Sequence, residues 1–234
     1  MWSNCNLAVS SFTRSFLRAY REDAEYGQPS SGMYISLMPV PLTAFILAGG
    51  RSTRMGTDKA FVLLDGRTLL ARALDLARSL TSDVRIVGDP AKFASFGPVI
   101  EDLFPGCGPL AGIHAALRSS QTDLNLILAV DIPFLTPALL QYMLGRAKDS
   151  ERAQVTVPRT ARGWQPLCAI YRRDFAAIAG EALRAGRYKI DALFDEAGIQ
   201  VVSELELQTA GFSPDLFSNL NTPNDLVEAA RKQH

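Results

Sequence analysis

The segment Leu47-Ala-Gly-Gly-Arg-Ser-Thr-Arg-Met-Gly-Thr-Asp-Lys-Ala60 joins a short apolar run to a glycine-rich, basic loop, and few folds accommodate that junction. Thr43 to Leu47 is mostly apolar and runs into glycines, as does a strand buried on both faces of a parallel sheet. Open α/β sheets bind their ligands outside the carboxyl ends of such strands. Gly49 and Gly50 carry no Cβ, so backbone N–H groups there can approach an anion closely. Arg51, Arg54 and Lys59 bring positive charge to the same spot. Together these residues suit a triphosphate. The loop lacks both the Gly-Lys-Ser/Thr ending of a P-loop and the Gly-x-Gly-x-x-Gly spacing of a dinucleotide fold, so neither a P-loop ATPase nor a dehydrogenase is indicated. The structural alternative is a basic strand-turn-helix connection. Two arginines with Asp58 and Lys59 at these offsets weigh against it.

Beyond the loop, helix and strand patterns alternate. Thr68 to Leu80 places Leu70, Leu74 and Ala77 at helical spacing, and Asp83 to Val87 reads as the next strand. Gly108 to Ile113 leads into another helix, and Leu124 to Val130 is a buried strand. Thr136 and Pro137 occupy the N-cap and first position of a further helix. The alternation predicts a three-layer α/β/α sandwich with a mostly parallel sheet. No repeat or linker divides residues 41–234, which are read as one domain. Residues 1–40 are read as a poorly ordered extension with a short helix between Ser11 and Tyr20. Arg14, Arg18, Arg21, Glu22, Asp23 and Glu25 mingle there with a turn-rich stretch, a mixture unlike a secretory signal or an acid-poor transit peptide. Met33 and Met38 lie just ahead of the first core strand, so a translation start later than Met1 is a reasonable expectation.

The 24 acidic and 24 basic residues balance, which gives no global electrostatic case for nucleic acid or an anionic membrane. Nor does any apolar stretch approach the roughly 20 residues needed to span a bilayer. Cys5, Cys107 and Cys168 are scattered without metal-ligand spacing and fit a reducing cytoplasm. Buried filler is the expected role of Cys168.

Chemistry gathers at a few further places. Asp131 directly follows the apolar run to Val130, and so sits at the carboxyl end of a strand. If that strand neighbours the one containing Phe45, a carboxylate among phosphates there is a magnesium ligand; the alternative is an aspartate opening an Asp-x-Pro turn. Asp102 precedes Phe104-Pro-Gly-Cys-Gly-Pro-Leu-Ala-Gly112 and reads equally as a solvated turn residue. Gln165 opens an apolar strand-like stretch to Tyr171. Arg159, Arg162 and Lys189 are candidate phosphate contacts or, individually, a solvated basic surface. Thr222, Pro223 and Asp225 read as a helix cap, leaving Asn219 and Asn221 to be explained otherwise. His114 is expected on a solvent-facing or edge-packed helix face and is assigned no role. His114 and His234 are the only histidines, with no serine-histidine or cysteine-histidine arrangement.

The loop resembles the opening signature of the molybdenum cofactor guanylyltransferases, Leu-Ala-Gly-Gly-x-Ser-x-Arg-Met-Gly-x-Asp-Lys, at every specified position from Leu47 to Lys59. The resemblance continues through Gly-Pro-Leu-Ala-Gly, Gln-Pro-Leu and Asn-x-Asn-Thr-Pro to Asp225. It implies a Rossmann-like nucleotidyltransferase fold of the glycosyltransferase-A kind. The implied reaction is magnesium-dependent transfer of GMP from GTP to the terminal phosphate of molybdopterin, with release of pyrophosphate. That acceptor is already ionised near neutral pH, so no catalytic base is needed. Leu47, Ala48, Gly49, Gly50, Lys59, Asp102 and Asp131 would then hold the nucleotide. Arg54, Lys59 and Asp131 would be catalytic, with Asp131 on Mg2+, and Gln165, Asn219 and Asn221 would face the acceptor. Molybdoenzymes or cofactor-insertion proteins would be partners. In one departure from the family, Val87-Gly88-Asp89 stands where some members place an asparagine against the nucleotide. A sister group uses CTP but more often carries Leu-Ala-Ala-Gly, which favours GTP. The alternative from another class is a non-catalytic nucleotide-binding protein of the same fold.

Overall fold

A computed structural model describes residues 41–49, 58–220 and Asp225; the extension read over residues 1–40 lies outside them. The first strand, β1 (Leu42–Leu47), is buried at every residue. A small hairpin, β2 (Leu63–Leu64) with β3 (Arg67–Thr68), leads into α1 (Leu69–Arg78). Thr68 caps α1 by accepting a hydrogen bond from the Ala71 N–H at 3.1 Å. Leu69, Leu70, Ala73, Leu74 and Ala77 form its buried stripe. There follow β4 (Val84–Val87), α2 (Pro90–Phe93), β5 (Val99–Ile100), α3 (Pro109–Ser119), β6 (Leu124–Ala129) and α4 (Pro137–Asp149). Thr136 caps α4 through the Leu139 N–H, with Pro137 at its first position, as the sequence predicts. The chain then forms β7 (Val155–Thr160), β8 (Gly163–Trp164), β9 (Cys168–Arg172), α5 (Phe175–Arg184), α6 (Phe194–Ala197), β10 (Ile199–Ser203) and α7 (Glu204–Thr209).

Across the sheet the order is β5-β4-β1-β6-β9-β7-β10, with β8 folded back on β7. All neighbouring pairs along that path are parallel except those made by β9. The twofold alternation of strand side chains divides the interior into two layers. Ala44, Ile46, Ile86, Leu126 and Leu128 pack with Leu70 and Leu74 of α1, Leu140 and Met143 of α4, and Leu207 of α7. Phe45, Leu47, Ile127, Val155, Val157 and Tyr171 pack on the other face with Ile113 and Leu117 of α3, Phe175 of α5 and Phe194 of α6. These are the three layers expected from the helix-strand alternation. Cys168 is fully buried, and burial pushes its thiol up to about 12, consistent with inert filler.

From β1 the chain crosses to β4 and β5 on one flank, then returns to place β6 on the other flank of β1. The direction of winding therefore reverses between β1 and β6. Their carboxyl ends border the crevice in which doubly wound sheets bind ligands.

Candidate active site

The residues after β1 and β6 meet at that crevice. Register pairs Leu47 with Ala129, and the Val130 N–H donates to the Leu47 carbonyl at 3.4 Å. Asp131 thus emerges beside the start of the glycine-rich loop, as expected. The Lys59 Nζ, returning from the far end of that loop, donates to Asp131 Oδ2 at 3.1 Å. Both side chains are about one-fifth exposed, at 21% and 22%, which leaves the pair reachable from solvent yet partly shielded from it.

Asp58 is built into the support of Lys59. Its Oδ1 accepts the Ala60 N–H at 3.2 Å and caps the 3-10 turn Lys59–Phe61, while its Oδ2 receives the Lys92 ammonium of α2 at 2.9 Å. The carboxylate raises the Lys92 pKa through that hydrogen bond. Phe61 of the same turn stacks on Phe93 at 5.7 Å. The turn carrying Lys59 is therefore tied by charge and by packing to the segment that follows β4.

The amide cradle differs from expectation. The Ala48 and Gly49 N–H groups both donate to the Val87 carbonyl of β4, at 3.0 and 3.2 Å, and so are occupied within the protein. Any phosphate grip by main-chain amides must begin after Gly49. Gly50, Arg51 and Arg54 lie outside the described residues. Among the described residues a Cβ at Gly49 would meet nothing closer than 3.8 Å, so packing against them does not itself require glycine there. Gly112 has a packing reason: its missing Cβ would sit 3.3 Å from Leu47 Cδ2, so α3 lies close against the end of β1. Gly108, at φ 75°, turns the chain into α3 with Pro109 in the first position and no side-chain cap.

Other sequence candidates take more local roles. Asp102 Oδ1 accepts the Phe104 N–H at 2.8 Å, the turn function weighed for it. Asp89 likewise caps α2 through the Ala91 N–H at 2.9 Å. The strand expected from Gln165 begins at Cys168, and Gln165 braces the β7–β8 hairpin, its Nε2 donating to Thr160 Oγ1 at 3.3 Å and the Gly163 carbonyl at 3.4 Å. Leu167 accepts the Ala129 N–H at 2.9 Å, so this stretch still runs alongside the strand that delivers Asp131. On the other side, the Leu220 N–H donates to the Asp131 carbonyl at 2.9 Å, placing exposed Asn219 next to the crevice. Asn221 and the cap residues Thr222 and Pro223 lie outside the described residues. Arg162 is tied to Ser218 at 2.9 Å and to Asp215 at 3.6 Å, and Lys189 to Asp191 at 3.2 Å.

His114 departs from the sequence reading, being only 8% exposed between α3 and α5. Room for it comes from Gly180, where a Cβ would approach its Nε2 to 3.0 Å. Its buried Nδ1 has no hydrogen-bond partner among the described residues. Burial, then Arg118 and Arg184, lower its pKa against an opposing pull from Asp102. The ring is thus held neutral and away from acid-base work. Sequence reasoning missed Lys92 and Trp164, whose roles depend on partners distant in sequence or across a hairpin. Among the described residues no group of three or more His, Cys, Asp or Glu could hold a metal ion, and no helix is long and apolar enough to cross a membrane.

A doubly wound sheet whose switch point sets a lysine-aspartate pair beside a glycine-rich loop belongs to the nucleotidyltransferase class of α/β enzymes. Residues 44–200 match the family model described as a MobA-like NTP transferase domain. The chain is 37% identical to a molybdenum cofactor guanylyltransferase of Desulfosudis oleivorans, over 80% of its own length and 94% of that relative's. It is 36% identical to a probable molybdenum cofactor guanylyltransferase of Pelotomaculum thermopropionicum, covering 80% and 91%. The crystal structure of molybdopterin-guanine dinucleotide biosynthesis protein A from Archaeoglobus fulgidus superposes with a TM-score of 0.72 at 26% identity, covering 82% of this chain and 98% of that one. This chain belongs to the molybdenum cofactor guanylyltransferase family.

Proposed function

We propose that the protein transfers GMP from GTP to the terminal phosphate of molybdopterin, releasing pyrophosphate, and that Lys59 and Asp131 are the residues on which the transfer depends. The observation that carries this reading is their 3.1 Å contact at the carboxyl edge between β1 and β6. On this reading the cation and the carboxylate flank the point at which a triphosphate and an incoming phosphate meet. The names of the relatives support guanylyl over cytidylyl transfer, as does Gly49 in the loop.

The nucleophile needs no base, because a phosphate monoester is ionised at neutral pH. The chain's own task is to align that oxygen with the α-phosphorus and to stabilise charge as pyrophosphate departs. Lys59 neutralises triphosphate oxygens, its turn fixed by Asp58. Arg54 and the amides from Gly50 onward complete the phosphate grip, while Asn219 and Asn221 approach the acceptor. Asp131 is a fitting holder for Mg2+, which commonly takes one or two carboxylates and fills its remaining positions with water and substrate phosphate. Bound there, the ion would supply charge neutralisation across the reacting phosphates. The enzyme would work in the cytoplasm and pass its product to molybdoenzymes or insertion proteins.

The test is pyrophosphate release from GTP and from CTP, each with molybdopterin and with or without Mg2+. Release from GTP alone, dependent on acceptor and metal, is expected. Preference for CTP would reassign the base, and nucleotide binding without release from either would support a non-catalytic binding protein.

A further inference from the structure

One guanidinium at the carboxyl edge is oriented without an ion pair. Arg159, exposed near the end of β7, lies over the Trp164 ring with its central carbon 4.7 Å from the ring centroid. Among the described residues it has no carboxylate partner, whereas Arg162 and Lys189 each have one. Trp164 is its cross-strand neighbour in the β7–β8 pair and is itself held edge-on by Phe194 at 5.2 Å. The cation–π contact holds the cation over the ring, and its hydrogen-bonding capacity remains available among the described residues.

Register locates this stack relative to the reacting groups. Leu126 and Thr156 both pair with Ile170 of the intervening β9. Counting three residues along each strand sets Arg159 level with Ala129, two residues short of Asp131. Two strand spacings separate them, about 10 Å laterally. The period of two puts Arg159 on the same sheet face as Val155 and Val157, the face shared with Leu47 and Ile127. The hairpin lies on the β9 side of β6. Gly49 and Asp58, the described ends of the glycine-rich loop, and the Gly88–Asp89 segment lie toward β1 and β4, on the opposite side.

We propose that Arg159, held over Trp164, is the shelf on which the planar pterin of the acceptor stacks while its phosphate reaches toward Lys59 and Asp131. The hairpin then governs acceptor recognition and leaves nucleotide choice to the opposite flank. This inference rests on the pterin-acceptor reading above. A planar, electron-rich heterocycle carrying a phosphate matches a stacked guanidinium, which offers both a face and a positive charge.

Two measurements test it. In steady state with GTP and molybdopterin, Arg159→Ala and Trp164→Ala should each raise the acceptor KM roughly tenfold, leaving the GTP KM and kcat at saturating acceptor near wild type. Trp164→Phe should retain most of the affinity, because a ring face remains, while Arg159→Lys should not, because the plane is lost. Wild-type acceptor KM in both alanine variants, or a raised GTP KM instead, would overturn the shelf.

The second measurement needs no turnover. The chain has two tryptophans, Trp2 and Trp164, so Trp2→Phe leaves Trp164 as sole reporter. In that background 6-hydroxymethylpterin phosphate should quench its fluorescence saturably, with GTP and Mg2+ failing to compete, and Arg159→Ala should weaken the binding roughly tenfold. Quenching by GTP, no saturable quenching by the pterin, or equal binding in the Arg159 variant would overturn the proposal. Should wild-type enzyme turn over neither GTP nor CTP, the transferase reading fails on its own, and the titration still decides whether a pterin lies here.

Discussion

Lys59 lies in a 3-10 turn well past β1 and Asp131 follows the end of β6, so the two meet only in the fold, and each can be removed with little effect on the buried sheet beneath. Replacing either by alanine deletes a charged group that, on the proposed mechanism, engages substrate phosphates or a divalent ion. Loss of one preorganised electrostatic contact in a transition state typically costs about 3 kcal/mol, or a hundredfold or more in rate. Lys59→Ala and Asp131→Ala should each fall by at least that factor in pyrophosphate release, with thermal unfolding close to wild type. Turnover within a few-fold of wild type in either variant would remove that residue from the mechanism. At His114 the expected effect is on stability. Burial and two nearby arginines hold its folded-state pKa below the ordinary value of 6.5, so between those two values the unfolded chain binds more protons than the native one. Stability contributed by the neutral ring is complete above pH 6.5 and declines as pH falls through the folded pKa. Thermal unfolding followed from pH 7.5 to pH 5, above the range where carboxylates titrate, should show wild type losing more of its Tm than His114→Leu. Parallel slopes would mean that the histidine is not the titrating group.

Elements built from a local pattern were legible in the sequence, and elements defined by their partners were not. β1, α1, β6 and α4 announce themselves by apolar runs, helical spacing and the Thr136-Pro137 start. The two-residue strands of the β2–β3 hairpin and β8 carry too few residues for a periodicity. The reversed sense of β9 is a property of its neighbours, since its composition is that of any buried strand. The same distinction holds in the site. Asp131 was legible because a carboxylate ending an apolar run projects from a sheet edge, whatever lies beside it. The engagement of the Ala48 and Gly49 amides depends on the Val87 carbonyl, and the burial of His114 depends on Gly180 of α5; neither partner is indicated by nearby sequence. Gly88 is a further case. A Cβ there would lie 2.8 Å from Phe93 Cε2, and that ring stacks on Phe61 of the turn that presents Lys59. Gly88→Ala should therefore destabilise by about 1–3 kcal/mol through overpacking and should also lower turnover by shifting the turn. Combining it with Phe93→Leu, which makes room for the methyl, should cost less than the two single changes added together. Additive costs in chemical denaturation would show that the ring does not confront the new methyl.

At the scale of the whole molecule, the position of β1 bears on what the first forty residues contribute. β1 is the middle strand of the sheet, hydrogen-bonded to β4 on one side and β6 on the other. Its two faces are filled by side chains of α1 and α3. Among the described residues, both hydrogen-bonding edges and both faces of this strand are supplied by chain that follows it. The Lys59–Asp131 contact likewise comes wholly from the chain after β1. A version beginning at Met38 should consequently fold and release pyrophosphate as the full chain does, with a Tm within about 2 °C. For a domain of this size each kcal/mol lost shifts Tm by roughly 2–4 °C, so packing by the removed segment worth even 2 kcal/mol would be visible in the melt. A drop beyond about 4 °C with turnover intact would make residues 1–37 a structural part of the domain. A selective rise in acceptor KM at unchanged Tm would assign them to the pterin side of the crevice.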